Sequence, residues 1–480
     1  MNRELILEYS PDLIRAAIIE DGQLCEIHRE RIGRKKLTDS LFYGRVQSIR
    51  PSVGAAFVDI GEPLNAFLPL SNNSRLKCGD YLIVQGVAVQ AVESKGLRVS
   101  DTINLAGKWL VLIPGGNGVR MSKKIKDADI RRVLTDAVEP LCPADCGIIV
   151  RTASADITAE VLGAEIQELY DRWQQIVLKA KGMAAPGVLY EPVDLAGRLI
   201  RDIGNTLTRV VSNDYRVVQE LELERDKGKI VADAVIELFS EKSSLLNDVY
   251  AIDAHVDKAL KKRVWLDCGG YLVFDACEAL TVIDVNSGKM MLGSDSEETA
   301  LRVNLEAAQE IARQLRLRDI GGIVVVDYID MKSSEHREHL LQKIRSEASR
   351  DRSQVTVGGV TRFGLVEMTR KRKGEQLDKS LLMGCKSCNG SGRCLSAEEA
   401  AFRALRQISR MMLAGQRGPY LIRCTAQTAA VLGELTAPND AQDIFVLGEK
   451  GRGAERFEIN QMDITALPPD GALRMKKVKQ

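Results

Sequence analysis

Histidine is scarce in this chain, with four in 480 residues, so a histidine-based acid–base or nucleophilic mechanism has little material, and no Ser-His-Asp arrangement competes. Proline is sparse too, at 13 residues; with no long low-complexity tail, this excludes a disordered or fibrous class. An excess of one charge is missing, since 67 Lys and Arg face 66 Asp and Glu for a formal net charge of +1. Bulk electrostatics therefore announce no nucleic-acid partner, and any such claim must rest on local patches. No run approaches the roughly 18 apolar residues of a membrane helix. The opening MNRELILEYSPDL also lacks the basic segment, apolar stretch and small-residue cleavage site of a secretory signal. The expectation is a cytoplasmic protein without a membrane span.

What is present is ordinary globular composition, 45% hydrophobic and 28% charged. At this length one core is exceeded, so about two to four domains are expected. Ten cysteines in a reducing compartment are buried thiols or metal ligands rather than disulfides, which makes their spacing informative. Short basic clusters occur at 31–36 (RIGRKK), 123–124 and 370–373 (RKRK); runs of this size also occur as solvated faces.

Strand-like runs flank Asp21-Gly22, a pair that closes a hairpin through a primed turn. From 42 to 99 short strands separated by Gly, Pro and Asn suggest a small β-barrel. In AAFVDIG, period-two alternation sets Phe57 with Asp59 on one face and Val58 with Ile60 on the other; Phe67 alternates likewise with Ala66 and Leu68. The two phenylalanines are either core aromatics or stacking platforms for unpaired bases on a wet barrel face. Between 109 and 180 come two apolar strands and an amphipathic helix over about 160–179. The second strand delivers Arg151 and Thr152 at its end, a guanidinium fork and a hydroxyl that can hold a phosphate or simply serve the surface. The stretch 197–260 leans helical and carries no chemical signal.

The informative region is 264–331. Strands over 271–274 and 279–285 lead to Asp284-Val285-Asn286-Ser287-Gly288, where Asn, Ser and Gly break the strand. Ser294 and Glu297 form a capping box for a helix running to about Asp319. Gly321-Gly322 then opens the β-branched run Ile323 to Val326, of the kind buried on both faces, followed by Asp327. Strand, helix, strand implies a right-handed crossover between parallel strands. Asp284 and Asp327 would both project at the carboxyl edge of the sheet, where open α/β sheets place ligands, with Asn286 pointing the same way if the strand continues. Two carboxylates and an amide oxygen suit Mg²⁺ or Mn²⁺, which can activate water against a phosphodiester. The bland alternative is that these aspartates cap helices.

Cys385-Lys-Ser-Cys388-Asn-Gly-Ser-Gly, with Cys394 beyond it, matches half of a structural zinc site. Completion needs either a distant pair such as Cys142 and Cys146, or the same two thiolates from a second subunit; a dithiol redox motif is the competing reading.

In order along the chain, AAFVDIG with NAFLPLS, VRTAS, ALTVIDVNSG, LEAAQEIARQLRLRDIGGIVVVDYIDM, RFGLVEMTRKR and CKSCNGSG resemble the catalytic region of the bacterial RNase E/G family. The resemblance covers about residues 1–400 and is nearest the ribonuclease G side, which has no long scaffold tail. It implies an endoribonuclease of single-stranded RNA, acting in ribosomal RNA maturation and messenger RNA turnover and leaving 5′-phosphate and 3′-hydroxyl ends. Asp284 and Asp327 would hold Mg²⁺ (or Mn²⁺) with Asn286 supporting. Phe57, Phe67 and Lys95 would clamp RNA on an OB-fold surface, and Arg151, Thr152 and the backbone of Gly107 and Val111 would sense a 5′-monophosphate. Cys385 and Cys388 would form a structural zinc link shared between two protomers of a homodimer or tetramer, leaving Cys394 out. The implied fold is multidomain α/β and β: an RNase H-like scaffold at 1–34 and 197–260, an inserted OB-fold barrel at 35–106, a 5′-end sensor at 107–196, a deoxyribonuclease-like α/β catalytic domain at 261–381, the zinc link at 382–395 and a small α+β assembly domain at 396–480. One departure stands out: family members carry a basic residue near the position of Gln354, beside the 5′-end pocket. The alternative from a different class is a non-catalytic RNA-binding or ribosome-associated protein, against which the joint presence of Asp284, Asn286 and Asp327 argues.

Overall fold

A computed structural model describes residues 2–33, 35–70, 76–88, 96–122, 124–155, 157–226, 230, 233–241, 243–288, 296–372, 374–383, 395–416, 418–435, 443–449, 457–462, 469 and 472–475. The chain forms two compact units, Met1–Leu377 and Asp378–Gln480.

The first unit opens with β1 (Arg3–Ser10), β2 (Leu13–Glu20) and β3 (Gln23–Arg31). Asp21 and Gly22 both have positive φ, 48° and 81°, as the expected β2–β3 hairpin requires. Five strands follow, β4 (Leu41–Arg50), β5 (Ala55–Asp59), β6 (Ala66–Pro69), β7 (Tyr81–Ala88) and β8 (Arg98–Ser100). They run in the order β4-β5-β6-β8-β7, and β7 returns to pair with β4, closing an OB-like barrel. Phe42, Val46, Ala56, Val58, Ala66, Leu68 and Val84 fill it.

Next come β9 (Leu105–Ala106), β10 (Leu110–Pro114), β11 (Gly118–Met121), α1 (Ala128–Val138), β12 (Cys146–Val150), α2 (Ala159–Lys181) and β13 (Gly187–Tyr190). The small sheet runs β11-β12-β10-β9, and β13 returns to pair with β4 of the barrel. Helix α2 buries Leu162, Ile166, Leu169, Ile176 and Ala180, the spacing of one helical face.

The region that leans helical in sequence contributes strands as well: α3 (Leu195–Ile203), β14 (Arg209–Ser212), α4 (Tyr215–Asp226), β15 (Val235–Leu238), α5 (Leu246–Val249) and α6 (Ile252–Ala259). β14 lies parallel to β1 and to β15, giving the sheet order β15-β14-β1-β2-β3. Strands of four residues flanked by charge carry too short a periodic signal to read in isolation.

The remainder of this unit contains β16 (Arg263–Trp265), β17 (Tyr271–Ala276), β18 (Leu280–Asn286), α7 (Ser296–Leu317), β19 (Gly322–Asp327), α8 (Ser334–Ser349), β20 (Val355–Val360) and β21 (Val366–Arg370). The sheet order is β16-β17-β18-β19-β21-β20, and β18 and β19 are its parallel pair. Gly321 and Gly322 are both needed at the entry to β19: a Cβ on Gly321 would fall 3.0 Å from the Arg372 Cα, and Gly322 has φ 104°. Helices α7 and α8 cover one face, burying Ile283, Val285, Val324 and Val326 with Val303, Ala307, Ile311, Leu340 and Ile344. The other face is open. Ile323 is 48% exposed and Val325 only half-buried, which corrects the expectation that the run is buried on both faces; a β-branched run reports strand propensity, not how many layers cover it.

The second unit packs helices Ala397–Leu413 and Ala426–Glu434 with strands Tyr420–Thr425, Ile444–Glu449, Glu458–Gln461 and Leu473–Arg474. Its core includes Ala404, Ile408, Tyr420, Ile422, Leu432 and Val446. Among the described residues no helix is long and apolar enough to cross a membrane.

Candidate functional site

Alternation along β18 buries Thr281, Ile283 and Val285 and turns Asp284 and Asn286 to the open face. On β19 it buries Val324 and Val326 and exposes Asp327. In register, Asp284 lies directly opposite Asp327, so two carboxylates distant in sequence meet at the carboxyl edge. The Asn286 amide donates to Asp284 Oδ2 at 2.8 Å, fixing how that carboxylate is turned. Burial, then the nearby Asp284 and Asp330 carboxylates, push the Asp327 carboxyl above its ordinary range.

The loop after β19 is held from below. Buried Asn304 on α7 donates to the Ile329 carbonyl (2.8 Å) and accepts from the Ile329 N–H (3.0 Å). Glu297 in the first turn of α7 accepts from the backbone N–H groups of Lys332 (3.1 Å) and Ser333 (2.9 Å). Ser294, the expected cap, lies outside the described residues. Among the described residues no cluster of three or more His, Cys, Asp or Glu side chains converges on one point. Two hard carboxylates plus an amide nevertheless fit Mg²⁺ or Mn²⁺, because Mg²⁺ is commonly held by one or two carboxylates and keeps several waters. Burial raises Asp327 first and repulsion from its acidic neighbours second, and a bound dication would relieve the repulsion.

Phe57 and Phe67 are directly paired across β5 and β6, with ring centroids 6.0 Å apart in an edge-to-face arrangement. Both are half-buried and absent from the barrel core, so they present an aromatic pair on its outer surface. Lys95 lies outside the described residues.

Arg151 leaves the end of β12 with its guanidinium already engaged. Nη1 donates to the carbonyls of Gly107 (2.6 Å) and Lys108 (3.3 Å), and Nη2 to Asp202 Oδ1 at 2.7 Å. The Thr152 hydroxyl is 2.9 Å from that of Ser122. The turn carrying Gly107 is pinned by Glu165, whose carboxylate accepts from the N–H groups of Lys108 (2.6 Å), Trp109 (2.8 Å) and Leu110 (2.9 Å). Gly107, Val111 and Glu165 line a cleft of about 680 Å³ that runs to Gln85 and Asn104. Gln354 is exposed and brings no charge. Asp202 and Glu165, which sequence reasoning missed, are single acids in ordinary helical patterns and carry no local signal.

Behind this cluster Arg352 lies 3.9 Å from Asp202 and pairs with Glu26. Burial acts to raise the Glu26 carboxyl, but the hydrogen bond from His28 and the Arg352 guanidinium outweigh it and hold the group well below the carboxylate range. A carboxyl depressed in the fold contributes stability above its unfolded pKa and loses it as pH falls. Between about pH 6 and pH 3, thermal unfolding of the native chain should therefore drop more steeply than that of Glu26→Gln; parallel drops would refute the assignment.

Cysteine chemistry resolves in part. Cys146 is buried in the core, and Cys142 Sγ donates to the Cys146 carbonyl at 3.3 Å. Burial raises the Cys142 thiol and pushes that of Cys146 up to about 12, so in the absence of a metal both stand as thiols. Cys385, Cys388 and Cys394 lie outside the described residues. Two members of the basic clusters are tied into the fold: Lys124 donates to the Asp351 carbonyl, and Arg370 is 6% exposed.

Fold and site together define a multidomain protein in which an OB-like barrel bearing surface aromatics accompanies an α/β sheet with two carboxylates at its edge. Residues 104–373 match the Ribonuclease E/G family model. Ribonuclease G of Salmonella typhimurium (strain SL1344) is 32% identical over 472 residues, covering 93% of this chain and 96% of that protein. Ribonuclease G of Escherichia coli (strain K12) is 31% identical over 469 residues, with the same coverage. Ribonuclease E of that strain is 32% identical over 432 residues, which span 85% of this chain but 40% of its own length. The chain belongs to the ribonuclease E/G family.

Proposed function

We propose that this protein cuts single-stranded RNA at the Asp284–Asp327 edge with the help of Mg²⁺ or Mn²⁺. That it is an endoribonuclease follows from its family; the observation carrying the finer reading is the in-register pairing of the two aspartates. Asp284 and Asp327 would hold the ion, and Asn286 keeps Asp284 turned toward it. When bound, such an ion polarises a phosphodiester oxygen and lowers the pKa of a water. The protein's own contribution is to fix two carboxylates on rigid neighbouring strands and to anchor the backbone of the 328–333 loop beside them through Asn304 and Glu297.

Phe57 and Phe67, with Lys95, clamp unpaired RNA on the barrel. Stacking a base on an aromatic ring is worth about 1–3 kcal/mol, so Phe57→Ala should raise KM about ten-fold with kcat nearly unchanged; steady-state cleavage of a single-stranded oligonucleotide checks this, and an unaltered KM would count against the clamp. Arg151 and Thr152, with the Gly107 and Val111 backbone, receive a 5′-monophosphate, which must share the guanidinium with Asp202. That sharing and the uncharged Gln354 both point to weak 5′-end dependence. The sheet order β15-β14-β1-β2-β3 with only β2 reversed suits an RNase H-like scaffold, and the two-carboxylate sheet a deoxyribonuclease-like catalytic domain. Cys385 and Cys388 form the zinc link of a homodimer, which can pair further into a tetramer, and the second unit serves assembly. The setting is cytoplasmic maturation of ribosomal RNA and turnover of messenger RNA.

The test is cleavage of a single-stranded RNA, with and without a 5′-monophosphate, in Mg²⁺ and in chelator. Binding without chelator-sensitive cutting would replace this reading by a non-catalytic RNA-binding protein.

A further inference from the structure

The open face of the catalytic sheet carries a second constellation beside the carboxylates. β16 is the edge strand, and its Trp265 pairs across β17 with Tyr271, which in turn lies opposite Asn286 on β18. The next row reads Arg263, Val273, Asp284 and Asp327. Side chains in each row share a face, because directly paired residues of neighbouring strands point the same way. Trp265 thus lies two strands from Asn286, about 10 Å at ordinary strand spacing, on the same surface as the carboxylates.

These residues are also unusual for that position. Trp265 is 64% exposed, and its ring centroid is 5.2 Å from that of half-buried Tyr271, tilted by 58°. The Arg263 guanidinium sits 4.5 Å from the Tyr271 centroid and 5.8 Å from that of Trp265, and it pairs with no carboxylate among the described residues. Arg263 therefore occupies the Tyr271 ring and keeps its N–H fork, while the Trp265 indole has an open face.

We propose that Trp265, Tyr271 and Arg263 form a nucleotide subsite, in which one unpaired base of the RNA strand crossing Asp284 and Asp327 stacks on Trp265 and its phosphate meets Arg263. This rests on the carboxylate edge being where RNA is cut. Three features select a single-stranded polyanion as the occupant. Every base has a π-face that an indole receives without sequence preference. The guanidinium fork matches a phosphate. The subsite is continuous, by register, with the carboxylates that the strand must reach. A base within a duplex is stacked on both sides and offers no such face, so the subsite discriminates against paired RNA.

The probe is a short single-stranded RNA oligonucleotide, compared with the same sequence as a duplex, on the full chain. Trp265 fluorescence, read as the difference between Asp327→Asn and the double variant Asp327→Asn with Trp265→Phe, is expected to be quenched by the single strand and not by the duplex. In the otherwise native chain, Trp265→Ala should lower kcat/KM on the single strand about five- to ten-fold, mostly through KM, with Trp265→Phe restoring most of it. Unchanged KM and no quenching, while Asp327→Asn alone has abolished cutting, would overturn the subsite and leave the carboxylate site standing. Normal cutting by Asp327→Asn would instead bring down the reading beneath it. If Trp265→Ala changes the light-scattering mass rather than KM, the face belongs to a second copy of the chain and the subsite is refuted.

Discussion

Asp327→Asn is expected to reduce cleavage of single-stranded RNA at least about a thousand-fold while changing RNA affinity by no more than about two-fold. Lewis-acid activation at a metal site is worth several kcal/mol, and each ~1.4 kcal/mol is a factor of ten in rate. Asparagine preserves the shape at the end of β19 but removes one of the two charges that hold the ion. RNA affinity should survive because the barrel aromatics lie on separate elements. Stability should survive too: the Asp327 carboxyl is raised by burial and by its acidic neighbours, so its ionised form is disfavoured in the fold and its removal relieves repulsion. Single-turnover cleavage, with affinity measured in parallel, separates these effects. Asp284→Asn should behave alike, whereas Asn286→Ala should lose less because it acts on the orientation of Asp284. Near-normal turnover in Asp327→Asn would refute the assignment.

Arg370→Ala should cost about 3–5 kcal/mol of stability, as breaking a buried ion pair by removing one partner does. Arg370 ends β21 and donates from Nε to Asp351 Oδ2 and from Nη1 to Asp319 Oδ1, both at 2.7 Å, with a further bond to the Ile320 carbonyl at 3.1 Å. Asp351 is itself buried, so truncation leaves a carboxylate without its cation in a poorly hydrated place. The residue also ties the end of α8 to the turn that launches β19, where Asp319 has φ 46°. At about 2.1 cal/mol/K of unfolding entropy per residue, the first unit, Met1–Leu377, should melt about 4–6 °C lower by calorimetry. Arg370→Lys should fall between, since it keeps the charge but loses the fork. A shift of only a degree or two would show that the triad is not holding the sheet together. Because the same turn sets the path to Asp327, cleavage should weaken in proportion to the loss of structure.

Arg370 also shows where sequence reading stops. In RKRK it is one of four cations that look alike, and only the return of β21 against β19 makes it a buried hub while Arg372 bonds the Gly321 carbonyl. Asp202 gives the same lesson, since LIRDIG is an unremarkable helix until Arg151, Arg201 and Arg352 close around it. The hairpin at Asp21-Gly22, the barrel strands, the α2 face and the strand–helix–strand unit from β18 to β19 were legible, because each signal lies within a few residues of what it specifies. The β1–β14 pairing joins residues more than 200 positions apart, and no local period encodes it.

Sequence by itself determined which residue types can do chemistry here: few histidines, a pair of aspartates each ending a β-branched run, and an asparagine two residues beyond the first. It also determined the parallel crossover that carries Asp327 to the same sheet edge as Asp284, since strand, helix and strand allow one handedness. The tertiary structure alone decided the register that sets those two side chains face to face, the open sheet face on which they stand, and the aromatic pair beside them. Register and face depend on which strands become neighbours and which layer covers them. Both are settled by burial of the apolar faces of α7 and α8 against one side of the sheet, a choice made by hydrophobic contacts remote in sequence.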